Sequence, residues 1–524
     1  MEFFRNLILF VIFCQSAIEG HRILGIFPFA ARSHNIFFEA LMKGLSKAGH
    51  QVDVISHYEP RYSGENLTRI LDLSKFENQL VVDNEIGIAF EFDDNIIKFI
   101  STKFGNDLCE LMGSEEMQNI LQNSLKERSY DLVISEFFGA TCFFGIGNFL
   151  QVPVVAVISI PEPIWAMNAM ALPFSTAFYP STMMDIGSIE TFSDRLKNTL
   201  SKYIALWLFC WYTDKPQTEA MRKYLSPQIP SIREVEKGIS LLVTNNFHSL
   251  YGIHPITPDV IEVGGIHIGQ NEDKLSPELE NWMEQSTSGV VYLSFGTAIR
   301  VETLPKETIL AFYSSFAKIA PVRILMKIKD KHLLPPGLPE NVKILPWLPQ
   351  IQVLGHKNTR AFITHCGLLG LQESLYFGVP IIGIPLHSDQ FRNVQIFVTK
   401  NMGIRIDYGE ITEKSLDNAL EGILNNPSYR EAAKYESKVF QDRPLQPMES
   451  AIFWIEYILR NGKDSLKSPA IHLHWWQASL ADVYSFLLFF FFLIIYLLYL
   501  IIKIISRKLV AFKKFINRRK EKFS

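Results

Sequence analysis

The 524-residue chain predicts an α/β fold of two parallel-sheet units followed by a membrane-spanning helix. Three observations lead there. A strand–helix–strand alternation opens at residues 23–27, 34–48 and 52–56. A second series of short apolar runs, separated by helical stretches, fills residues 290–406. A run of twenty uncharged residues, 483–502, has the length that a hydrocarbon core requires of a helix.

The elements follow in order. Residues 1–20 read as a secretory signal: Arg5, an apolar stretch at 7–13, then the small residues Ser16, Ala17 and Gly20. The strand at 23–27 leads through Ser33 into a helix whose Phe37, Phe38, Leu41 and Leu45 recur at helical spacing, and Gly49 stops it. Strands at 132–135 and 152–159 continue the first unit. Residues 161–212 are rich in Met, Phe, Trp, Pro and Tyr without a clear period, which fits core packing, an apolar acceptor pocket or a membrane-touching face. A second unit begins near Val243, with a Pro- and Gly-rich joint at 253–269. Its strands are expected at 290–295, 322–328, 342–345, 361–364, 380–384 and 404–406, and a helix at 448–459 closes the globular part. The expected division is therefore 21–245, 246–465, a transmembrane helix at 483–502 and a tail at 503–524.

Charge separates these parts. The net formal charge is −3, yet the tail holds nine basic residues against Glu521 alone, so the body is acidic. An acidic body argues against a nucleic-acid partner. A basic flank after a membrane span places the tail in the cytosol, giving a type I protein with a luminal body. Beyond Cys14 in the signal, Cys109, Cys142, Cys210 and Cys366 have no zinc-like spacing; one bridge is compatible with the lumen, its pairing open. Asn66-Leu-Thr68 is a glycosylation sequon, whereas Asn426-Pro-Ser428 is excluded by its proline.

The stretch 347–390 concentrates the chemistry. Apolar runs at 360–364 and 379–384 read as buried parallel strands. The first ends in His365-Cys366-Gly367 and the second in Ser388-Asp389-Gln390. Ligands of an open α/β sheet bind beyond the carboxyl ends of its strands. One crevice thus gathers an imidazole, glycine N–H groups at a helix start, an acid in that helix (Glu373) and an Asp–Gln pair. Such a set suits a nucleotide carrying a sugar on its pyrophosphate.

These residues resemble the signature of the UDP-glycosyltransferase family, which includes the UDP-glucuronosyltransferases. The matching pieces are Trp347-Leu-Pro-Gln350, Phe362-Ile-Thr-His365, Gly367, Glu373, Gly378-Val-Pro380 and Asp389-Gln390, and the likeness runs from about residue 21 to the C-terminus. The resemblance implies a GT-B architecture, two facing Rossmann-like domains with a cleft between them. It makes Ser294, Gly296 and Thr297 a donor-phosphate loop and puts Lys327 near the nucleotide. Trp347 offers a face to uracil and Gln350 bonds its edge. His365 and Gly367 hold the pyrophosphate, Glu373 the ribose hydroxyls, and Asp389 and Gln390 the transferred sugar. Ser33-His34 matches the family's Ser-His, whose histidine is the catalytic base. The positive end of a helix favours a neutral imidazole there, able to take a proton. Glu136 ends a strand where vertebrate members usually carry Asp, and would orient that ring; Asp131, the rival acid, lies at the opposite end of the strand. Two departures stand out: Cys366 replaces the first glycine of the family's His-Gly-Gly, and Leu368-Leu369-Gly370 replaces Ala-Asn-Gly, as in invertebrate members.

The expected function is inverting, metal-independent transfer of a hexose from UDP-glucose, or UDP-glucuronate, to a hydroxyl of a small lipophilic acceptor, as in detoxification or hormone or pigment conjugation. No cofactor is expected, the UDP-sugar being a co-substrate. The alternatives are a membrane-lipid glycosyltransferase and a non-catalytic, membrane-anchored binding partner of an active relative. Expected partners are the UDP-sugar, the acceptor and the membrane, with a homo-oligomer left open. Lys520 and Lys522 resemble the dilysine retrieval signal of endoplasmic-reticulum proteins.

Overall fold

Strand β1 (Arg22–Phe27) shows why this chain builds a sheet covered on both faces. Ile23 and Phe27 enter one apolar cluster, Leu24 and Ile26 another on the opposite side. That period of two belongs to a strand, and apolar residues on both faces mark a parallel sheet under two helical layers. The computed structural model describes residues 20–61, 64, 66–76, 96–124, 129–182, 184–186, 188–270, 272–297 and 299–521. The expected signal segment, Gly20 excepted, and Lys522 lie outside them.

The first sheet continues with β2 (Gln51–Ser56), β3 (Leu67–Asp72), β4 (Leu132–Glu136), β5 (Val154–Ile158), β6 (Leu241–Thr244) and β7 (Val260–Glu262). Its order is β3-β2-β1-β4-β5-β6-β7, with parallel pairing throughout. The second sheet contains β8 (Val290–Ser294), β9 (Arg323–Lys327), β10 (Val342–Leu345), β11 (Thr359–Thr364), β12 (Ile381–Gly383) and β13 (Gly403–Arg405). It is also parallel, in the order β10-β9-β8-β11-β12-β13. Strand order reverses between β1 and β4 in one sheet and between β8 and β11 in the other. Crevices open at such switch points, beyond the carboxyl ends of the strands.

The helices that matter for the site are α1 (Arg32–Lys47), α2 (Ile96–Ser101), α3 (Phe192–Tyr224), α4 (Leu368–Phe377), α5 (Gln390–Thr399) and α6 (Pro447–Asn461). Two boundaries differ from expectation. Val243, expected to begin the second unit, lies in β6 and pairs with Val157 of β5 and Ile261 of β7. The first sheet therefore runs past residue 245 to Glu262. Helix α6 follows the second sheet in sequence, but its Met448, Ala451, Ile455 and Ile458 fill the first sheet's core beside Phe37, Leu41 and Leu45 of α1. The stretch 246–465 thus gives β7 and α6 to the first sheet, because that face needs α6 to cover it.

Residues 161–212, which showed no period, include the start of α3. Thr191 and Asp194 form a capping box at its N-terminus, a signal legible as Thr-x-x-Asp. The period is hidden because apolar residues occupy both sides of the helix: Phe209 stacks on Trp165 at 4.5 Å inside, while Trp207 and Trp211 face outward. Pro216 sits inside the helix and cannot donate to the Tyr212 carbonyl. Asn106 Nδ2 does so instead, at 2.9 Å. A disulfide joins Cys109 to Cys142, fixing the pairing that the sequence left open; Cys210 and Cys366 are free.

Residues 468–524 form a separate compact unit. Its helix α7 (Ala481–Glu521) contains the apolar run 483–502 and is long and apolar enough to cross a membrane.

Candidate active site

Both switch points carry the polar residues singled out by sequence. At the first, β1 leads into α1, whose first turn holds His34, and the neighbouring β4 ends on Glu136. Ile26 of β1 lies in register with Ser135 of β4, so the residues that follow each strand converge. His34 Nδ1 meets Glu136 Oε1 at 2.5 Å, with the carboxylate buried. Holding Nδ1 leaves Nε2 as the nitrogen able to exchange a proton with a ligand. Phe29 and Phe138 stand edge-on to the imidazole at 5.0 and 5.2 Å, and Phe104 packs on Phe29. These rings, with Ile96 and Ile100, make the apolar half of a cleft that His34 also lines. Asp131 is at the other end of β4, where it accepts the Arg22 N–H at 2.8 Å.

At the second switch point, Ser294 of β8 lies in register with Thr364 of β11. The loops that follow bring Gly296 and Gly367 to either side of the His365 ring. A Cβ on Gly296 would sit 2.7 Å from His365 Cε1, and one on Gly367 would sit 2.6 Å from Nε2. Neither position accepts a side chain while the imidazole stays in place. Burial first, then the charges of His387 and Lys327, push the His365 imidazole down to about 3. The ring is therefore neutral at physiological pH and acts as a hydrogen-bonding group rather than as a cation. Gly367 caps α4 without a side-chain partner, so the helix's first N–H groups, at Leu368, Leu369 and Gly370, border the cleft. A helix start of this kind attracts phosphate. Cys366 holds the left-handed φ of +68° that glycine adopts without strain. Its thiol is buried, so the substitution leaves the cleft open.

The remaining expected residues take distinct places. Gly296 and Thr297 line the cleft; Ser294 does not. Ser294 is fully buried and its hydroxyl accepts the Gly296 N–H at 3.3 Å, so it shapes the loop from behind. Lys327 donates to the Gly296 carbonyl at 2.6 Å and stands 4.7 Å from the centre of the Trp347 ring. Trp347 is half exposed, a flat face open to a base, with Arg61 from the first sheet's side 5.5 Å from its ring. Gln350 donates to Glu373 Oε2 at 2.7 Å and accepts the Tyr292 hydroxyl at 3.1 Å. His267 Nε2 meets the other Glu373 oxygen at 3.1 Å. The carboxylate is thus aimed by two partners, while each oxygen keeps a lone pair for a sugar hydroxyl. Asp389 accepts from Asn393 at 2.7 Å, and burial raises its carboxyl above the usual range. Gln390 accepts the Leu386 N–H at 2.8 Å and the His387 N–H at 3.2 Å, so its carbonyl holds the loop, and its amide nitrogen lies 3.4 Å from His387 Nε2 at the cleft edge.

Sequence reasoning missed His267, Arg61 and the aromatic wall. His267 had a signal, Gly264-Gly265 just before it: a Cβ on Gly264 would lie 2.8 Å from the Asn246 carbonyl oxygen, and Gly265 has φ +82°. Arg61 and Phe104 carried none, since each reaches the cleft from a segment without a motif.

Solved structures share the fold. A UDP-glucosyltransferase from Polygonum tinctorium superposes with a TM-score of 0.56 at 18% identity, covering 85% of this chain and all of that one. The spinosyn forosaminyltransferase SpnP gives 0.57 at 15% identity, covering 84% and 100%. The fold is that of the GT-B glycosyltransferases. Residues 29–518 match the family described as UDP-glucoronosyl and UDP-glucosyl transferase, and the chain belongs to that family. Among its relatives, UDP-glucosyltransferase 2 of Dactylopius coccus is 33% identical over 482 residues, 90% of this chain and 91% of the relative. UDP-glucuronosyltransferase 2B9 of Macaca fascicularis is 28% identical over 476 residues, 88% of each. The protein is an enzyme that transfers sugar from a UDP-sugar to an acceptor, and its C-terminal apolar helix fits membrane anchoring.

Proposed function

We propose that the enzyme transfers glucose from UDP-glucose, with inversion and without a metal, to a hydroxyl of a small lipophilic acceptor. The observation that carries this reading is the His34–Glu136 pair, set between an aromatic wall and the donor residues. The acceptor lies against Phe29, Phe104 and Phe138. His34 Nε2 takes the hydroxyl proton as the oxygen attacks C1 of the sugar from the side opposite UDP. The bond from C1 to the phosphate oxygen breaks, and UDP leaves with that electron pair. Glu136 stabilises the imidazolium formed. The N-terminus of α4, Thr297 and the neutral His365 surround the leaving pyrophosphate and supply the stabilisation that a metal gives elsewhere. Trp347 stacks on uracil, Glu373 binds the ribose, and Asp389 with the Gln390 amide binds the sugar hydroxyls.

Glucose is favoured over glucuronate by charge. Among the described cleft-lining residues, the fixed cations are Arg61 and Lys327, and both lie against Trp347, at the base end. At the sugar end, among the described cleft-lining residues, no fixed cation stands beside Asp389 to pair with a glucuronate carboxylate. The body is assigned to the endoplasmic-reticulum lumen, supported by the buried Cys109–Cys142 bridge and the exposed sequon residues Asn66 and Thr68. Conjugation of hormones, pigments or foreign compounds follows from the apolar acceptor side.

The test offers UDP-glucose and UDP-glucuronate to the full-length enzyme with phenolic, steroid and lipid acceptors, with and without EDTA. Proton NMR of the product reads the anomer. A β-glucoside formed equally in EDTA is expected. Preference for UDP-glucuronate, retention of the α-anomer, or activity restored only by added metal each overturns the corresponding part.

A further inference from the structure

The face of α3 turned away from the sheet is apolar. Leu196, Leu200, Tyr203, Ile204, Trp207 and Trp211 are each between 46 and 69% exposed. At 3.6 residues per turn they fall within an arc of about 100°, the width of stripe that ordinarily faces a core. The helix is not free to turn this stripe inward. On its opposite side Asn198 accepts the Ser181 N–H at 2.8 Å and donates to the Thr176 and Tyr179 carbonyls at 2.8 and 3.1 Å. Lys202 donates to the Phe174 and Tyr179 carbonyls at 2.9 and 2.8 Å. These buried polar pegs fix the helix's rotation, because withdrawing them would leave donors and acceptors unpaired. Phe174 packs edge-on to Tyr203 at 5.5 Å, at the border of the stripe. A continuous exposed apolar patch of this kind marks an interaction surface.

We propose that the stripe beds into the surface of a lipid bilayer, as a membrane contact additional to α7. Three features select lipid as the occupant. First, α7 is long and apolar enough to span a bilayer, so the chain brings its own apolar phase within reach. Second, the stripe joins Leu and Ile to Trp207, Trp211 and Tyr203, whose rings suit the headgroup boundary. Third, its length from Leu196 to Trp211 is about 22 Å at 1.5 Å per residue, lying along a surface rather than crossing it. The exposed flanking charges are mixed, with Arg195, Lys197 and Lys215 beside Asp214, so the contact is driven by apolar burial and a zwitterionic membrane suffices. The same helix backs the apolar half of the cleft: Gln217 donates to the Gly139 carbonyl at 2.8 Å, and Asn106, next to the cleft wall, bonds Tyr212. Bedding α3 therefore holds that wall close to the lipid.

The full-length chain, with Cys210→Ser to remove the partly exposed thiol, is labelled with an environment-sensitive fluorophore at Leu200→Cys, Trp207→Cys or, as a control off the stripe, Glu219→Cys. It is reconstituted into phosphatidylcholine vesicles. These positions are exposed, so thermal unfolding should match the unlabelled chain. At positions 200 and 207 the expected result is a blue-shifted emission, loss of most iodide quenching, and strong quenching by lipids carrying a nitroxide on the acyl chain. The label at 219 should stay iodide-accessible and ignore the nitroxide lipid. Stripe labels as accessible to iodide as the control overturn the proposal. So does protection without nitroxide quenching that disappears as protein density in the vesicles falls, for then a second copy of the chain covers the face.

Discussion

Replacing Glu136 by Gln removes one charge while keeping the side chain's shape, and the structure sets the size of the loss. Glu136 is 4% exposed and His34 13%, so water screens the pair little. The contact is 2.5 Å between Nδ1 and Oε1. Spreading each charge over its group puts the charge centres about 4 Å apart, which at an effective dielectric of 20 gives about 4 kcal/mol. That attraction is realised only as His34 becomes imidazolium, so it lowers the barrier and not the ground state. The glutamine retains a neutral hydrogen bond of about 1 kcal/mol. The difference, about 3 kcal/mol, corresponds to a fall in kcat of about 10²-fold. Steady-state measurement of UDP release gives kcat, and calorimetry with UDP gives donor affinity, which should not change because Glu136 lies behind His34 and outside the cleft lining. Glu136→Asp keeps the charge but withdraws it by about one C–C bond, roughly 1.5 Å, and should fall between the two. The reasoning is refuted if Glu136→Gln turns over within threefold of wild type. It is refuted equally if kcat and UDP affinity fall together, which would report damage to the fold.

The proposed function puts donor binding at the second sheet. Trp347→Ala should weaken UDP binding by about 1–3 kcal/mol, the worth of one base stack, and Glu373→Ala by a similar amount through its charged hydrogen bonds; unchanged calorimetric affinity in both would remove uracil and ribose from these positions. Stability should depend on pH through His365. Its folded-state value of about 3 lies below the ordinary 6.5, so the unfolded chain binds the extra proton and stability rises with pH across that window. At pH 5 the cost relative to pH 7 is about 2 kcal/mol, and His365→Asn should flatten that part of the urea-midpoint profile; an identical profile would place the ring in solvent. Replacing Cys109 and Cys142 together by Ser opens a bridge across a sequence separation of 33 residues. Chain entropy sets that loss at about 3–4 kcal/mol, readable as a lower denaturation midpoint under non-reducing conditions, and an unchanged midpoint would mean that the unfolded chain is not constrained by the bridge.

The sequence by itself determined the elements whose information is local. Strands β1, β2, β4 and β5 of the first sheet and the six of the second were legible because a strand buried on both faces must be a continuous apolar run, as β1 and β8 are, whereas β3 and β7 went unread and β6 was taken for the start of the second unit. The convergence of the residues between Trp347 and Gln390 on one cleft was legible because strand, turn and helix start follow one another there, so spacing along the chain dictates spacing in the cleft. Tertiary structure alone decided what depends on distant segments. His267 aims Glu373 from 106 residues away. The closing helix α6 returns to the first sheet because that is where an apolar face lacked cover. Ser294 turned out to lie behind its loop, since a strand's last residue is assigned a face by the sheet's pleat and not by its motif. The outward face of α3 belongs here too. Apolar residues on both sides of a helix erase its period in sequence, and only the buried Asn198 and Lys202 pegs reveal which side is left to meet the surroundings.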